Sequence, residues 1–148
     1  MPHFIRTTPA PEVIGNYSKF RPYVRADFRM CCAYCLIGEL FAGGEENYEL
    51  DHFCPQSLFS ERVNDFYNLY YACHVCNNIK RAQWPPQELI DRGIGFVDLC
   101  NVDFDQHFQE LPDGRWHPLS QSAEYTLRQL RLNRPHLLRL RQFLSGRT

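Results

Sequence analysis

The stretch YELDHFCPQS, residues 48–57, is the part of the chain from which the fold is most readily predicted. Apolar and polar side chains alternate up to Leu50, which predicts a half-buried β-strand. Two neighbouring ionisable residues, Asp51 and His52, come next, and Pro55 cannot join the hydrogen-bond ladder of a strand. The sequence therefore predicts a strand that ends on a pair of side chains placed there for chemistry.

Length and composition predict one compact domain of an ordinary globular protein. The chain has 148 residues, of which 44% are hydrophobic and 14% aromatic. It contains no run of eighteen apolar residues that could span a membrane, and its first residues lack the apolar stretch of a secretory signal. We therefore expect no membrane partner and a cytoplasmic location.

The seven cysteines point to a metal rather than to disulfides, because cytosolic thiols stay reduced and the number is odd. Two pairs have the spacing CxxC: Cys32 with Cys35 in CAYC, and Cys73 with Cys76 in CHVC. Two such pairs in one short chain predict a structural Zn²⁺ site with four thiolate ligands. Since four thiolates complete a tetrahedron, we expect His74 to be exposed and not a ligand.

The charge distribution favours a nucleic acid as partner in spite of a net charge of −1. Basic residues gather near both ends of the chain, which allows a basic face on a nearly neutral protein. On a helix, Arg21, Arg25 and Arg29 would line one side. The arginines of the last thirty residues predict either a phosphate-binding face or an ordinary solvated one. The residues expected to contact nucleic acid are Arg21, Arg25, Arg29, Lys80, Arg81, Arg128 and Arg131.

Local patterns beyond the first strand predict a mixture of strands and helices. FYNLYYAC reads as a second strand, and the second CxxC pair then opens a helix that continues through NNIK. FQELPDGRWHPL predicts a hairpin turned at residues 112–114, followed by two helices in SAEYTLRQL and PHLLRLRQFL. Residues 98–107, DLCNVDFDQH, lack regular ligand spacing and predict a polar turn rather than a second metal site.

Several of these segments together resemble the ββα-metal core, or His-Me finger, of the HNH endonucleases. The segments are CAYC, LDHFCPQS, YNLYYAC and CHVCNNIK, and the stretches DFDQHFQELPDGRWHPL and LRLNRPHLLRLR look similar to the tail of many small bacterial HNH proteins. The resemblance implies an α+β fold stapled by a four-cysteine zinc site, with an extra hairpin and C-terminal helices. The expected parts are an N-terminal arm (1–20), an HNH core with its hairpin extension (21–118) and a helical cap (119–148).

Phosphodiester hydrolysis needs a base for the water and a cation for the developing charge. His52 is suited to be the base, and Asp51, on the opposite side of the extended backbone, can hold a divalent ion. Asn77 would bring a second ligand from the first turn of the helix, and Lys80 on the same helical face could meet the phosphate. Asn77 stands where the family commonly has His, and its neutral oxygen suits Mg²⁺ or Mn²⁺. Asn68 looks like the family's middle Asn, whose side chain bonds loop backbone and holds the base in place.

The resulting hypothesis is a metal-dependent HNH endonuclease that cleaves DNA, with RNA left open as a substrate. The resemblance implies products with a 3′-hydroxyl and a 5′-phosphate. The alternative is a zinc-knuckle module that binds nucleic acid without catalysis. A homodimer or a partner protein of a defence system fits the family, whose members serve bacterial defence or mobile elements.

Overall fold

The computed structural model describes residues 1–146, and their fold is mixed α+β, as predicted. The α-helices of this part of the chain are α1 (Arg21–Asp27), α2 (His74–Lys80), α3 (Gln87–Asp91), α4 (Gln121–Gln129) and α5 (Pro135–Leu144). The strands are β1 (Tyr48–His52), β2 (Leu69–Cys73), β3 (Phe108–Glu110) and β4 (Trp116–Pro118). Short 3₁₀ helices occur at Tyr17–Phe20, Glu39–Phe41, Glu45–Asn47, Ser60–Arg62, Phe66–Asn68 and Phe104–Gln106.

The contacts within the chain divide it into two compact units. One unit is Phe4–Trp84, and the other consists of Met1–His3 together with the chain from Pro85 onward. The domain bounds expected from the sequence stay a prediction. Arg147 and Thr148, at the end of the expected cap, lie outside the described residues.

Strands β1 and β2 form an antiparallel pair in the Phe4–Trp84 unit. Asp51 lies opposite Tyr70 and His52 opposite Leu69, so both ionisable residues belong to the strand itself. The sequence placed this pair at the exit of the strand, and in the structure Asp51 and His52 are the last two residues of β1. Their neighbours in β2 are buried apolar side chains, and this packing extends the ladder through two residues of low strand propensity.

Helix α2 follows β2 without a linker. Cys73, the last residue of β2, is the N-cap of α2, and its sulfur accepts a hydrogen bond from the backbone N–H of Cys76 at 3.5 Å. The helix packs against both β1 and β2. This arrangement brings Asn77 and Lys80 of α2 next to the end of β1.

The core of the Phe4–Trp84 unit is largely aromatic. Its buried rings are contributed by Phe4, Phe20, Phe28, Tyr34, Tyr48, Phe66, Tyr70 and Tyr71. The N-terminal segment takes part in this core, because the Phe4 ring packs against Phe28 at 4.7 Å between centroids. Arg6 of the same segment forms an ion pair with Asp27 at 3.1 Å. Residues 4–20 of the expected arm are thus part of this unit.

The second unit contains the predicted hairpin of β3 and β4 and the two predicted helices. Gly114 in the hairpin turn has a φ of +86°, and a Cβ there would lie 2.6 Å from the Leu138 carbonyl oxygen. The Arg141 guanidinium is buried and stacks on the Trp116 ring at 3.9 Å, so this arginine supports the core rather than a solvated basic face.

Candidate active site and metal centre

The four predicted zinc ligands come together in one buried cluster. Cys32, Cys35, Cys73 and Cys76 are all buried, and their sulfur atoms lie within 4.8 Å of one another. A tetrahedral Zn²⁺ with bonds of about 2.3 Å would hold its sulfur ligands ~3.8 Å apart. The Cys35 and Cys73 sulfurs are 3.9 Å apart, which fits that arrangement. The four cysteines could therefore hold a structural metal ion such as zinc.

The electrostatics of the cluster also suit a cation. Hydrogen bonds from Cys32, Cys35 and Cys76 hold the pKa of Cys73 far below that of an ordinary thiol, whereas burial raises the pKa of Cys32. A bound metal ion would neutralise the thiolates that such a cluster forms. Among residues 1–146 this is the one group of three or more His, Cys, Asp and Glu side chains close enough to share a metal ion.

A cleft of about 370 Å³ lies at the junction of β1, the loop that follows it and the end of α2. Four residues selected from the sequence line this cleft, namely Asp51, His52, Asn77 and Arg81. The lining consists of Leu50, Asp51, His52, Pro55, Gln56, Ser57, Asn77, Arg81 and Ala82. The sequence prediction thus identified residues that the fold brings to a single cavity.

Asp51 is a buried carboxylate with two strong partners. Its Oδ2 accepts a hydrogen bond from the Tyr34 hydroxyl and forms an ion pair with Lys80 Nζ at 3.1 Å. Burial raises the pKa of Asp51, and the charge of Lys80 and the Tyr34 hydroxyl act against that rise. Neither of these two contacts uses Oδ1, the second carboxylate oxygen.

The imidazole of His52 is held on both sides. Its Nε2 lies 2.9 Å from the Val63 carbonyl oxygen, and its Nδ1 lies 3.0 Å from Gln56 Nε2. A carbonyl can only accept, so Nε2 carries the proton and the lone pair of the neutral ring is on Nδ1. The Tyr17 ring meets the imidazole edge-on at 4.6 Å between centroids. His52 therefore has a defined tautomer and orientation.

Asn68 bonds the loop that follows His52. Its Oδ1 accepts from the Cys54 N–H at 2.8 Å, and its Nδ2 donates to the Cys54 carbonyl at 3.0 Å and to the Arg62 carbonyl at 3.4 Å. These are contacts of the kind that the family resemblance implies for the middle Asn. The Arg62 contact fixes the backbone next to the Val63 carbonyl, which accepts the hydrogen bond from His52 Nε2.

Asn77 is held by a residue that the sequence reasoning did not select. Its side-chain Nδ2 donates to Glu49 Oε2, while Glu49 Oε1 lies 2.7 Å from His74 Nδ1. Burial raises the pKa of Glu49, but the hydrogen bonds with His74 and Asn77 outweigh burial and lower the pKa overall. His74 is exposed, as predicted. The period-2 alternation of a strand was the available signal, since it puts Glu49 and Asp51 on one side of β1.

Two other cleft or core residues also escaped the sequence analysis. Gln56 contacts the imidazole of His52, and Tyr34 contacts the carboxylate of Asp51. Gln56 stands within the quoted LDHFCPQS segment and Tyr34 within the CAYC pair, but neither position has a pattern that reveals its contact.

The three arginines expected on one helical face do not share it. Helix α1 ends at Asp27, and Arg29 lies beyond it with a φ of +53°. Arg25 forms two-pronged hydrogen bonds to the Glu39 carboxylate, the shorter ones being 2.8 Å, and Arg21 donates to the Glu45 carbonyl oxygen at 2.8 Å. The predicted basic stripe of α1 is therefore interrupted, because Arg25 is paired with the Glu39 carboxylate and Arg21 lies 3.8 Å from the Glu45 carboxylate.

The other expected nucleic-acid contacts differ in their surroundings. Lys80 is 0% exposed, so its charge serves Asp51 and is not presented to solvent. Arg81 lines the cleft. In the second unit, Arg128 pairs with Glu124 at 3.1 Å, and Arg131 is exposed just after α4. Arg81 is thus the cation of the set that shares a cavity with the catalytic candidates.

No protein-family model matches this chain, and no curated protein matches it. Within residues 1–146, the helices are too short or too polar to cross a lipid bilayer.

Proposed function

We propose that this protein is a metal-dependent HNH endonuclease that hydrolyses phosphodiester bonds of DNA. The observation that carries the proposal is the common cleft of Asp51, His52 and Asn77, in which the imidazole has a defined tautomer. Hydrolysis requires a base of fixed orientation beside a carboxylate and an amide oxygen. Binding of nucleic acid alone does not require this set of groups.

His52 acts as the general base through Nδ1. The proton of the attacking water passes to this nitrogen, the water oxygen forms a bond to phosphorus, and the bond from phosphorus to the 3′ oxygen breaks. The resulting imidazolium keeps its Nε2–H hydrogen bond to the Val63 carbonyl, which stabilises the new charge. Gln56 must turn aside for the water, because its amide occupies the hydrogen-bonding direction of Nδ1.

Asp51 and Asn77 would hold the divalent ion, Mg²⁺ or Mn²⁺, since both line the cleft and both offer hard oxygen atoms. When bound, the ion neutralises charge that develops on the phosphate and on the leaving oxygen. Lys80 keeps Asp51 ionised and oriented through Oδ2. Asn68 keeps the loop, and with it the carbonyl partner of His52, in place.

The zinc cluster has a structural role in this proposal. It ties the segment of Cys32 and Cys35 to the junction of β2 and α2, from which Asn77 and Lys80 project. Arg81 at the wall of the cleft is suited to contact the phosphate of the substrate, because guanidinium groups match phosphate oxygens.

Cleavage of supercoiled plasmid DNA tests the proposal. The wild-type protein should convert the plasmid when Mg²⁺ or Mn²⁺ is added and should leave it intact when divalent ions are omitted. His52→Ala should lower the rate by about 10²–10⁴-fold. His117→Ala, which alters an exposed histidine of the second unit, is the matched control and should cleave normally.

The non-catalytic alternative makes the opposite prediction in the same experiment. A zinc-knuckle binding module would retard DNA in a gel without cutting it at any concentration of Mg²⁺ or Mn²⁺. Equal rates for the wild type and His52→Ala would contradict the role of the imidazole.

A further inference from the structure

Glu49 connects β1 to α2 through both oxygens of its carboxylate. Oε2 accepts from the Asn77 side-chain amide, and Oε1 lies 2.7 Å from His74 Nδ1. His74 Nε2 in turn lies 3.0 Å from Asn78 Nδ2. An amide nitrogen can only donate, so Nε2 of the neutral ring accepts, and His74 donates its Nδ1–H to Glu49. Both oxygens of Glu49 are thus used in holding the helix.

The contact of Glu49 with Asn77 fixes which end of the Asn77 amide faces Glu49, and so which end is left to face a cation. A carboxamide has a donating end and an accepting end, and the two have nearly the same shape. A carboxylate can only accept, so Glu49 selects the nitrogen end of Asn77 for itself. The oxygen Oδ1 is the opposite end of this amide, and Asn77 is one of the residues that line the cleft.

We infer that Glu49 is a positioning residue that sets the amide orientation of Asn77, so that the oxygen and not the nitrogen is offered to the catalytic cation. The inference rests on the proposed function. Without Glu49 the amide could rotate by half a turn and present two N–H groups to a positive ion. Glu49 is not itself assigned as a ligand, because it is not among the residues that line the cleft.

The side-chain amide signal of Asn77 provides a direct test that needs neither metal nor cleavage. Its cross-peak in a ¹H–¹⁵N spectrum is assigned by its loss in Asn77→Asp. A proton donated to a carboxylate should resonate downfield of ordinary side-chain amides. In Glu49→Ala the signal should return to the ordinary range. In Glu46→Ala, which removes an exposed glutamate of the preceding 3₁₀ helix, it should stay where it is.

The metal requirement of cleavage provides the functional readout. Loss of a partner that orients a metal ligand typically weakens metal affinity by about 10–100-fold. Glu49→Ala should therefore need about 10–100-fold more Mg²⁺ for half-maximal cleavage, with a rate at saturating Mg²⁺ close to that of the wild type. Glu46→Ala should keep the wild-type requirement.

Exchanging the carboxylate of Glu49 with the amide of Asn77 distinguishes a positioning role of Glu49 from a general effect on the structure. In Asn77→Asp two carboxylates would face each other and repel. Adding Glu49→Gln supplies an amide that can donate to the new carboxylate, so the double variant should need less Mg²⁺ than Asn77→Asp alone.

An unchanged amide signal in Glu49→Ala would overturn the inference, as would a wild-type Mg²⁺ requirement in that variant. Failure of the wild type to cleave would instead overturn the proposed function, and the amide signal would still decide the orientation of Asn77.

Discussion

Lys80 Nζ and Asp51 Oδ2 form an ion pair of 3.1 Å in the interior of the Phe4–Trp84 unit, where Lys80 is 0% and Asp51 5% exposed. The same ammonium donates to the His52 carbonyl oxygen at 3.1 Å. One side chain of α2 therefore stabilises both residues at the end of β1. In the proposed enzyme this contact joins the metal ligand and the base to the helix that carries the second ligand.

Removing the lysine should destabilise the protein strongly. In Lys80→Met the Asp51 carboxylate stays buried without its cation, which typically costs about 3–5 kcal/mol of unfolding free energy. Urea unfolding with zinc present measures the loss. Lys19→Met, at an exposed position, should change stability little. Combining Lys80→Met with Asp51→Asn should cost less than the sum of the single changes, and additive costs would argue against the pair.

The cysteine cluster should make folding dependent on zinc. The purified protein is expected to contain about one zinc ion per chain. Cys73→Ser should lower the zinc content and the unfolding temperature together, because metal binding and folding are coupled. Cys100→Ser lies outside the cluster and should leave both unchanged. Elemental analysis that finds folded protein without a bound metal would refute the assignment.

Two substitutions of Arg81 should have similar effects on DNA cleavage but different effects on stability. It caps α2 with a φ of +46°, a backbone conformation that favours glycine. Arg81→Gly and Arg81→Ala both remove the guanidinium from the cleft, so both should weaken DNA cleavage to a similar degree.

The two Arg81 variants should differ in stability alone. The glycine variant should be more stable than the alanine variant by about 1 kcal/mol, since alanine keeps the steric strain of that conformation. Thermal unfolding and plasmid cleavage measure the two effects. Unequal cleavage by two equally well-folded variants would show that the backbone, and not the guanidinium, matters for the substrate.

Glu39 should contribute stability that depends on pH. Hydrogen bonds from Arg25, and also from Tyr71, hold its pKa below the ordinary glutamate value. A group with a lowered folded-state pKa stabilises the fold above its unfolded pKa, roughly 4.3, and loses that effect as the pH falls through the folded value.

The comparison of wild type with Glu39→Gln measures this contribution. The wild type should unfold at a higher temperature near neutral pH, and the difference should shrink below about pH 4.3. Protonation of the cysteine cluster at low pH should lower the unfolding temperature of both proteins equally, so it does not affect their difference. Glu46→Gln should follow the wild type at every pH, and a difference for Glu39→Gln that persists at low pH would contradict the role of its charge.

Local patterns in the sequence determined several parts of this protein. The period-2 alternation before Asp51 predicted β1, the CxxC spacings predicted the cysteine cluster, and the Pro-Asp-Gly turn predicted the hairpin of β3 and β4. The signals for β1 and for the hairpin each lie within one strand or one turn, where local backbone preferences are strong enough to specify the structure. Each CxxC pair is local too, but the affinity of zinc for four thiolates was the reason to expect that the two distant pairs come together.

Only the tertiary structure decided what the charged side chains do. Lys80 and Asp51 are 29 positions apart in sequence, and helical spacing alone placed Lys80 toward a phosphate rather than inside the core. The contact of Asn77 with Glu49 and the pairing of Arg25 with Glu39 likewise join separate segments. A periodic pattern identifies the side of a helix or strand on which a residue lies, but the packing of one element on another determines which charge it meets. Burial then makes that partner decisive, because an unpaired charge in the interior is far more costly than one in water.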